Sequence, residues 1–269
     1  MTYQQILYEV KDRIATVTLN RPERMNTWTD VMSQEVHDAM HAAAKDKQVR
    51  VIVLTGAGRA FCAGADVAAL GEDDPKALLH KLPRPFDMNR RADYQTRHTW
   101  HPSIGKPIIA MLNGATAGLG LVNALACDVR FAAEDAVFTT AFARIGLSAE
   151  YGIAWMLARV VGHANALELL LSGRRIGAPE AQRLGLVNFV HPPDKLAQAT
   201  YAYARELAES CSPRSMRAIK EQVWEVPFQS LADAVIMANR DMITANLSPD
   251  FKEGTRAFLQ KRKPRFADE

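Results

Sequence analysis

The sequence predicts an α/β chain that winds repeated strand–strand–helix turns into a spiral and ends in a helical region. Three observations predict it. The stretch 49–55 is almost wholly apolar, as a strand buried on both faces should be. Two strand–glycine–helix junctions share one grammar: 49–55 leads through Gly56-Ala57-Gly58 to 60–66, and 107–112 leads through 113–117 to a helix over 118–127. Beyond Pro192-Pro193 only helical periodicity remains, over 194–209, 213–225, 230–246 and 249–262. The chain therefore divides into a mixed core, residues 1–193, and a helical region, residues 194–269.

Taken in order, 6–10 and 14–19 read as paired strands around Lys11-Asp12-Arg13. A helix follows from about Thr29, because Met32, Val36, Ala39 and Ala43 recur on one face. Asp66 stands where a helix over 66–70 would be capped. Between Gly71 and Pro85 the pattern breaks into acidic residues and prolines, which predicts a mobile insertion. Residues 86–100 read as an arginine-rich helix ended by Pro102. Short strands are expected at 129–131 and 136–139, then helices over 150–160 and 164–171, the latter closed by Gly173. Pro179 opens a short helix ending at Gly185, and 186–190 reads as a strand.

Composition narrows the classes. A chain of 269 residues, 48% hydrophobic and 23% charged, has ample core material. Its net charge of +3 is far from a nucleic-acid footprint spread over a domain, although Lys261-Arg262-Lys263-Pro264-Arg265 concentrates cations. No signal-peptide pattern or membrane-length apolar run is present, and the three cysteines lack metal spacing, so a cytoplasmic protein is expected. Cys62 lies in the first junction but has no histidine nearby in sequence to activate it. His37 and His41 are four apart on a helix, yet lack a third ligand and read as surface residues. His98 and His101, flanking Trp100, read as packing or surface groups.

The two junctions carry the chemistry. Small residues and glycines let backbones approach closely, and helix starts leave N–H groups free. Two such groups aimed at one oxygen make an oxyanion hole. The motifs Phe61-Cys62-Ala63-Gly64-Ala65-Asp66, Lys106-Pro107, Asn113-Gly114, Ala117-Gly118 and Cys127-Asp128 occur in that order. With Gly146-Leu147, Leu170-Leu171-Ser172-Gly173, 178–187 and 257–262, they resemble the crotonase family of enoyl-CoA hydratases and isomerases over nearly the whole chain.

That resemblance implies a spiral of ββα units, a C-terminal helical region that forms trimers or hexamers, and a coenzyme A thioester as substrate, with no prosthetic group. It implies that the backbone N–H groups of Ala65 and Leu119 form the oxyanion hole. Arg24, Ala63, Ala65, Asp66, Val67, Phe258 and Lys261 match positions that meet coenzyme A. Lysine near a phosphate is physically sensible, and this role accounts for the basic run better than a localisation signal. Where a typical hydratase carries two glutamates, this chain has Val122 and Phe142, which cannot transfer a proton. The stretch 142–150 instead resembles peroxisomal-type Δ3,Δ2-enoyl-CoA isomerases, whose catalytic glutamate falls at Glu150. The bland reading of Glu150 is a first-turn helix carboxylate favoured by the macrodipole.

Other readings stay open beside the isomerase. Within the family they are an enoyl-CoA hydratase that uses Glu150 alone, a decarboxylase or a thioester hydrolase; from another class comes a non-catalytic coenzyme A- or RNA-binding relative. A dinucleotide-binding fold fails because Phe61 stands where the glycine fingerprint needs glycine.

Overall fold

Asp12 and Arg13 take φ of 51° and 63°, a left-handed pair that turns the chain tightly between β1 (Ile6–Lys11) and β2 (Ile14–Leu19). The computed structural model describes residues 2–66 and 91–268. Thr29 caps α1 (Asp30–Lys45), its hydroxyl accepting from the Met32 N–H at 3.1 Å. The helix buries Met32, Val36, Ala39, Met40 and Ala43 and returns the chain so that β3 (Val51–Gly56) runs parallel to β2.

From β3 onward each turn of chain gives one strand to each of two sheets. The first sheet has the order β1-β2-β3-β5-β7-β10, with β5 at Ile108–Leu112, β7 at Val129–Ala133 and β10 at Phe189–His191. The second has the order β4-β6-β8-β9, with β4 at Ala60–Cys62, β6 at Ala115–Ala117, β8 at Val137–Thr139 and β9 at Ile176–Gly177. Because β3-β5-β7 and β4-β6-β8 advance in step, the chain forms a spiral. Helix α2 (Leu119–Ala126) is wholly buried in it, as are Val53, Leu54, Phe61 and Phe138. Each such side chain contributes about 1.5–3 kcal/mol.

Helices α3 (Ile153–Val161), α4 (His163–Ser172) and α5 (Ala178–Arg183) follow the second sheet. Helix α6 (Pro193–Ser210) lays Leu196, Thr200, Ala204 and Ala208 on the first sheet, and its Tyr201 hydroxyl meets Thr16 Oγ1 at 3.0 Å. Helix α7 (Pro213–Glu225) is fastened by Lys220, whose ammonium pairs with Asp128 at 2.8 Å and donates to the Lys106 carbonyl. Helices α8 (Leu231–Asn246) and α9 (Pro249–Leu259) between them bury only Ala257. Among the described residues no helix is long and apolar enough to cross a membrane.

Several expectations change. Residues 115–117, read as loop, form β6, and Ala60–Cys62 is a strand as well. The described part of the helix expected over 86–100 is one 3-10 turn, Ala92–Gln95, with a second at His101–Ser103. Burial of both His98 and Trp100 fits this, since residues two apart point to opposite sides of an α-helix. The strand expected at 186–190 shrinks to Phe189–His191, because Arg130 holds this segment by its side chain through the Leu186 carbonyl and by its N–H through Asn188 Oδ1. Helix α9 stops at Leu259, and Lys261 has φ of 50°. The insertion expected over 71–85 and the helix expected after Asp66 lie outside the described residues.

Candidate active site

At the first junction the chain pairs with Trp28 as a parallel bridge. The Trp28 N–H donates to the Gly64 carbonyl at 2.8 Å, and the Asp66 N–H donates to the Trp28 carbonyl at 3.0 Å. This pairing uses the groups on either side of Ala65, so the Ala65 N–H faces away from Trp28. The Ala63 N–H is taken by the Met25 carbonyl at 3.1 Å. Asn26 is fully buried and staples the 21–27 loop in place; its amide donates to the carbonyls of Ala57 and Ala60 and accepts from the Arg21 N–H. Arg24 is thereby brought beside Ala63, with its side chain exposed. Asp66, expected as a helix cap, accepts from Arg21 Nη2 at 3.1 Å. Val67 lies outside the described residues.

At the second junction Gly118 takes φ of 47°, and its N–H donates to the Thr139 carbonyl at 3.1 Å. Leu119 is the first residue of α2, where an N–H has no partner within the helix. A Cβ placed on Gly118 would lie 3.8 Å from the Gly64 Cα, so the two junctions touch backbone to backbone. Gly120 is needed for this approach: a Cβ there would sit 2.3 Å from the Cys62 carbonyl oxygen. The two junctions thus bring Ala65 and Leu119 together on neighbouring backbones.

Val122 and Phe142 are buried and apolar, at 0% and 5% exposure, so no acid or base enters from either position. Glu150 differs from its bland reading. Tyr151 and Gly152 take φ of 51° and 71°, which delays α3 to Ile153 and leaves Glu150 ahead of the first turn. Its half-buried carboxyl has no hydrogen bond or ion pair among the described residues, and burial raises its pKa above the usual carboxylate range. The adjoining Tyr151 ring meets His98 edge-on at 4.6 Å, and His98 meets Trp28 at 5.6 Å. An aromatic chain therefore ties the Glu150 turn to Trp28, the bridge partner of Ala65. Sequence reasoning missed Trp28 and Tyr151 because no local pattern foretells which rings meet.

Beyond Gly152 lies a cavity of about 560 Å³ lined by Tyr94, Trp155, Met156, Trp224 and Phe228. It has the size and apolar character of a small-molecule pocket. Phe258 and Lys261 are exposed at the end of α9, and no described contact joins them to the 63–66 loop. In the basic run, Arg262 pairs with Glu253 at 2.6 Å and Lys263 with Glu209 at 3.0 Å. Cys62 is buried and its thiol is pushed up to about 12 by desolvation, which removes it as a nucleophile. His37 and His41 are stacked at 4.0 Å and packed on Trp100 rather than free on the surface. Among the described residues no cluster of three ligating side chains could hold a metal.

The fold agrees with comparisons against known proteins. Residues 9–269 match the family model for enoyl-CoA hydratase/isomerase. The chain is 37% identical to a probable enoyl-CoA hydratase of Rhodobacter capsulatus, over 99% of each chain. It is 33% identical to the 1,2-epoxyphenylacetyl-CoA isomerase of Escherichia coli, over 97% of each. The crystal structure of an enoyl-CoA hydratase from Bacillus anthracis superposes with a TM-score of 0.90 at 29% identity, covering 99% of this chain and 100% of that one. The spiral of paired strands is the crotonase fold, and the chain belongs to the enoyl-CoA hydratase/isomerase family of enzymes.

Proposed function

We propose that this enzyme shifts the double bond of a 3-enoyl-CoA to give the conjugated 2-enoyl-CoA. The observation that carries the reading is Glu150: a half-buried carboxyl of raised pKa on the turn that Tyr151 and His98 link to Trp28, while both positions of the hydratase glutamates are apolar. The thioester oxygen lies between the N–H groups of Ala65 and Leu119. Glu150 removes a C2 proton, and the C–H electron pair forms an enolate whose charge those groups stabilise. As the enolate collapses, a double bond forms between C2 and C3, the C3–C4 π pair takes a proton at C4, and Glu150 returns it. One carboxyl serves both ends, so no second acid is required.

Coenzyme A enters the same reading, since the family acts on its thioesters. Arg24 meets a phosphate, and Ala63, Ala65, Asp66 and Val67 line the path of the pantetheine and adenine. Phe258 and Lys261 close over the nucleotide, supplied by a neighbouring subunit if the chain assembles as a homotrimer or hexamer. The exposed apolar residues of the C-terminal helices, among them Leu231, Ile236, Leu247 and Phe251, support that assembly. The cavity beyond Gly152 gives the acyl tail an apolar berth.

An assay of purified protein on matched 3-enoyl- and 2-enoyl-CoA substrates tests the reaction. The proposal expects conjugated product from the first and no 3-hydroxyacyl-CoA from the second. Hydration of the 2-enoyl-CoA without isomerisation of the other would replace it with the hydratase reading. Binding of acyl-CoA with no turnover of either would favour a non-catalytic binder.

A further inference from the structure

We propose that His98 is a positioning residue that holds the three segments of the site, carrying Ala65, Leu119 and Glu150, in one register. The inference rests on the roles just proposed for those residues. His98 is 2% exposed and stands in irregular chain after the Ala92–Gln95 turn, so its ring reaches several elements at once. One neighbour is Trp28, at 5.6 Å and 72° between ring planes. Trp28 fixes the backbone on both sides of Ala65 through the Gly64 carbonyl and the Asp66 N–H. A second is Tyr151, at 4.6 Å and 82°, the residue after Glu150. Both are edge-to-face contacts, a geometry that aromatic quadrupoles favour and that resists rotation of either ring.

The third neighbour is Asn123. Its amide donates to the Leu119 carbonyl at 2.8 Å, one helical turn away, while its Oδ1 faces His98. That oxygen is buried without a hydrogen bond, so its pull on the imidazole is electrostatic. One ring thus touches a residue bonded to, or adjacent to, each of the three groups. The ring is not a proton carrier. Burial, with help from the neighbouring Arg97 charge, pushes its pKa down to about 3, and the opposing pull of Asn123 and Asp30 is weaker. It stays neutral where the enzyme works, and its part is to set distance and orientation.

The test uses His98→Ala, which loses all three contacts, and His98→Phe, which keeps the two ring contacts. Two readouts are taken: kcat on a 3-enoyl-CoA against the Kd of a saturated acyl-CoA, and the titration midpoint of Glu150 by NMR of labelled glutamate. Misplacing the base by a fraction of an ångström should lower kcat of His98→Ala by about 10–100-fold, while Kd stays within about threefold. The Glu150 midpoint should fall toward the ordinary carboxylate range as its turn loosens and water enters. His98→Phe should recover most of both. Should His98→Ala fail to fold, His98→Leu, which fills space without aromatic edges, is scored in the same way. An unchanged Glu150 midpoint and kcat in the Ala or Leu variant would overturn the proposal. So would losses in His98→Phe as large as in His98→Ala. The midpoint needs no turnover, so it tests His98 even if the wild-type enzyme leaves 3-enoyl-CoA untouched, a result that would count against the proposed reaction instead.

Discussion

At Glu150 the chain holds a carboxyl where burial opposes its charge and no described cation offsets the cost. The folded state binds this proton more tightly than the unfolded chain does. Ionisation therefore costs stability at neutral pH, and that cost disappears as the pH falls below the unfolded value. A base must be ionised to act, so the same shift fixes the sign of the activity profile. Isomerase kcat should fall as the pH drops through the raised pKa, with its acidic limb above the ordinary 4.5. A steady-state pH profile checks this, and a limb at or below 4.5 would mean that another group limits the rate. The sequence points to Glu150 through the resemblance of 142–150 to the isomerases, with Val122 and Phe142 unable to transfer a proton. Its surroundings were not, since Tyr151 and Gly152 turn the chain through left-handed conformations that local propensity does not foretell for tyrosine.

Among the elements, those with strong periodicity were legible: β1, β2, α1, β3 and β5 form where hydrophobic spacing put them. The second sheet was harder to read. Strands β4, β6 and β9 are three, three and two residues long, too short for alternation to register, and only their pairing defines them. Their meeting depends on glycines that admit a neighbouring backbone, as Gly120 admits Cys62. Helices α7 to α9 pose the converse case, because amphipathicity foretold them while much of their apolar surface stays exposed. Leu231, Leu247 and Phe258 are 83%, 77% and 83% exposed. A trimer or hexamer buries such faces, so light scattering of purified protein should give a mass three or six times that of the chain. A Leu231→Glu, Leu247→Glu double variant should shift the mass toward monomer. A wild-type monomer at micromolar concentration would contradict that assembly.

Over the whole molecule, the spiral does for the site what no single element could. It stacks successive turns so that the backbones at Gly64 and Gly118 meet, and ring contacts through His98 link Trp28, the bridge partner of Ala65, to Tyr151, the residue after Glu150. The chain shares this scaffold with its enoyl-CoA hydratase/isomerase relatives, so the reaction has to be argued from the side chains of the site. The proposed isomerisation therefore depends on one carboxyl, and Glu150→Gln tests it most directly. The amide keeps the shape of the side chain and removes the base. Isomerase kcat on a 3-enoyl-CoA should fall by about 10²–10⁴-fold, with acyl-CoA affinity nearly unchanged. A Glu150→Gln enzyme that isomerises at the wild-type rate would contradict the assignment.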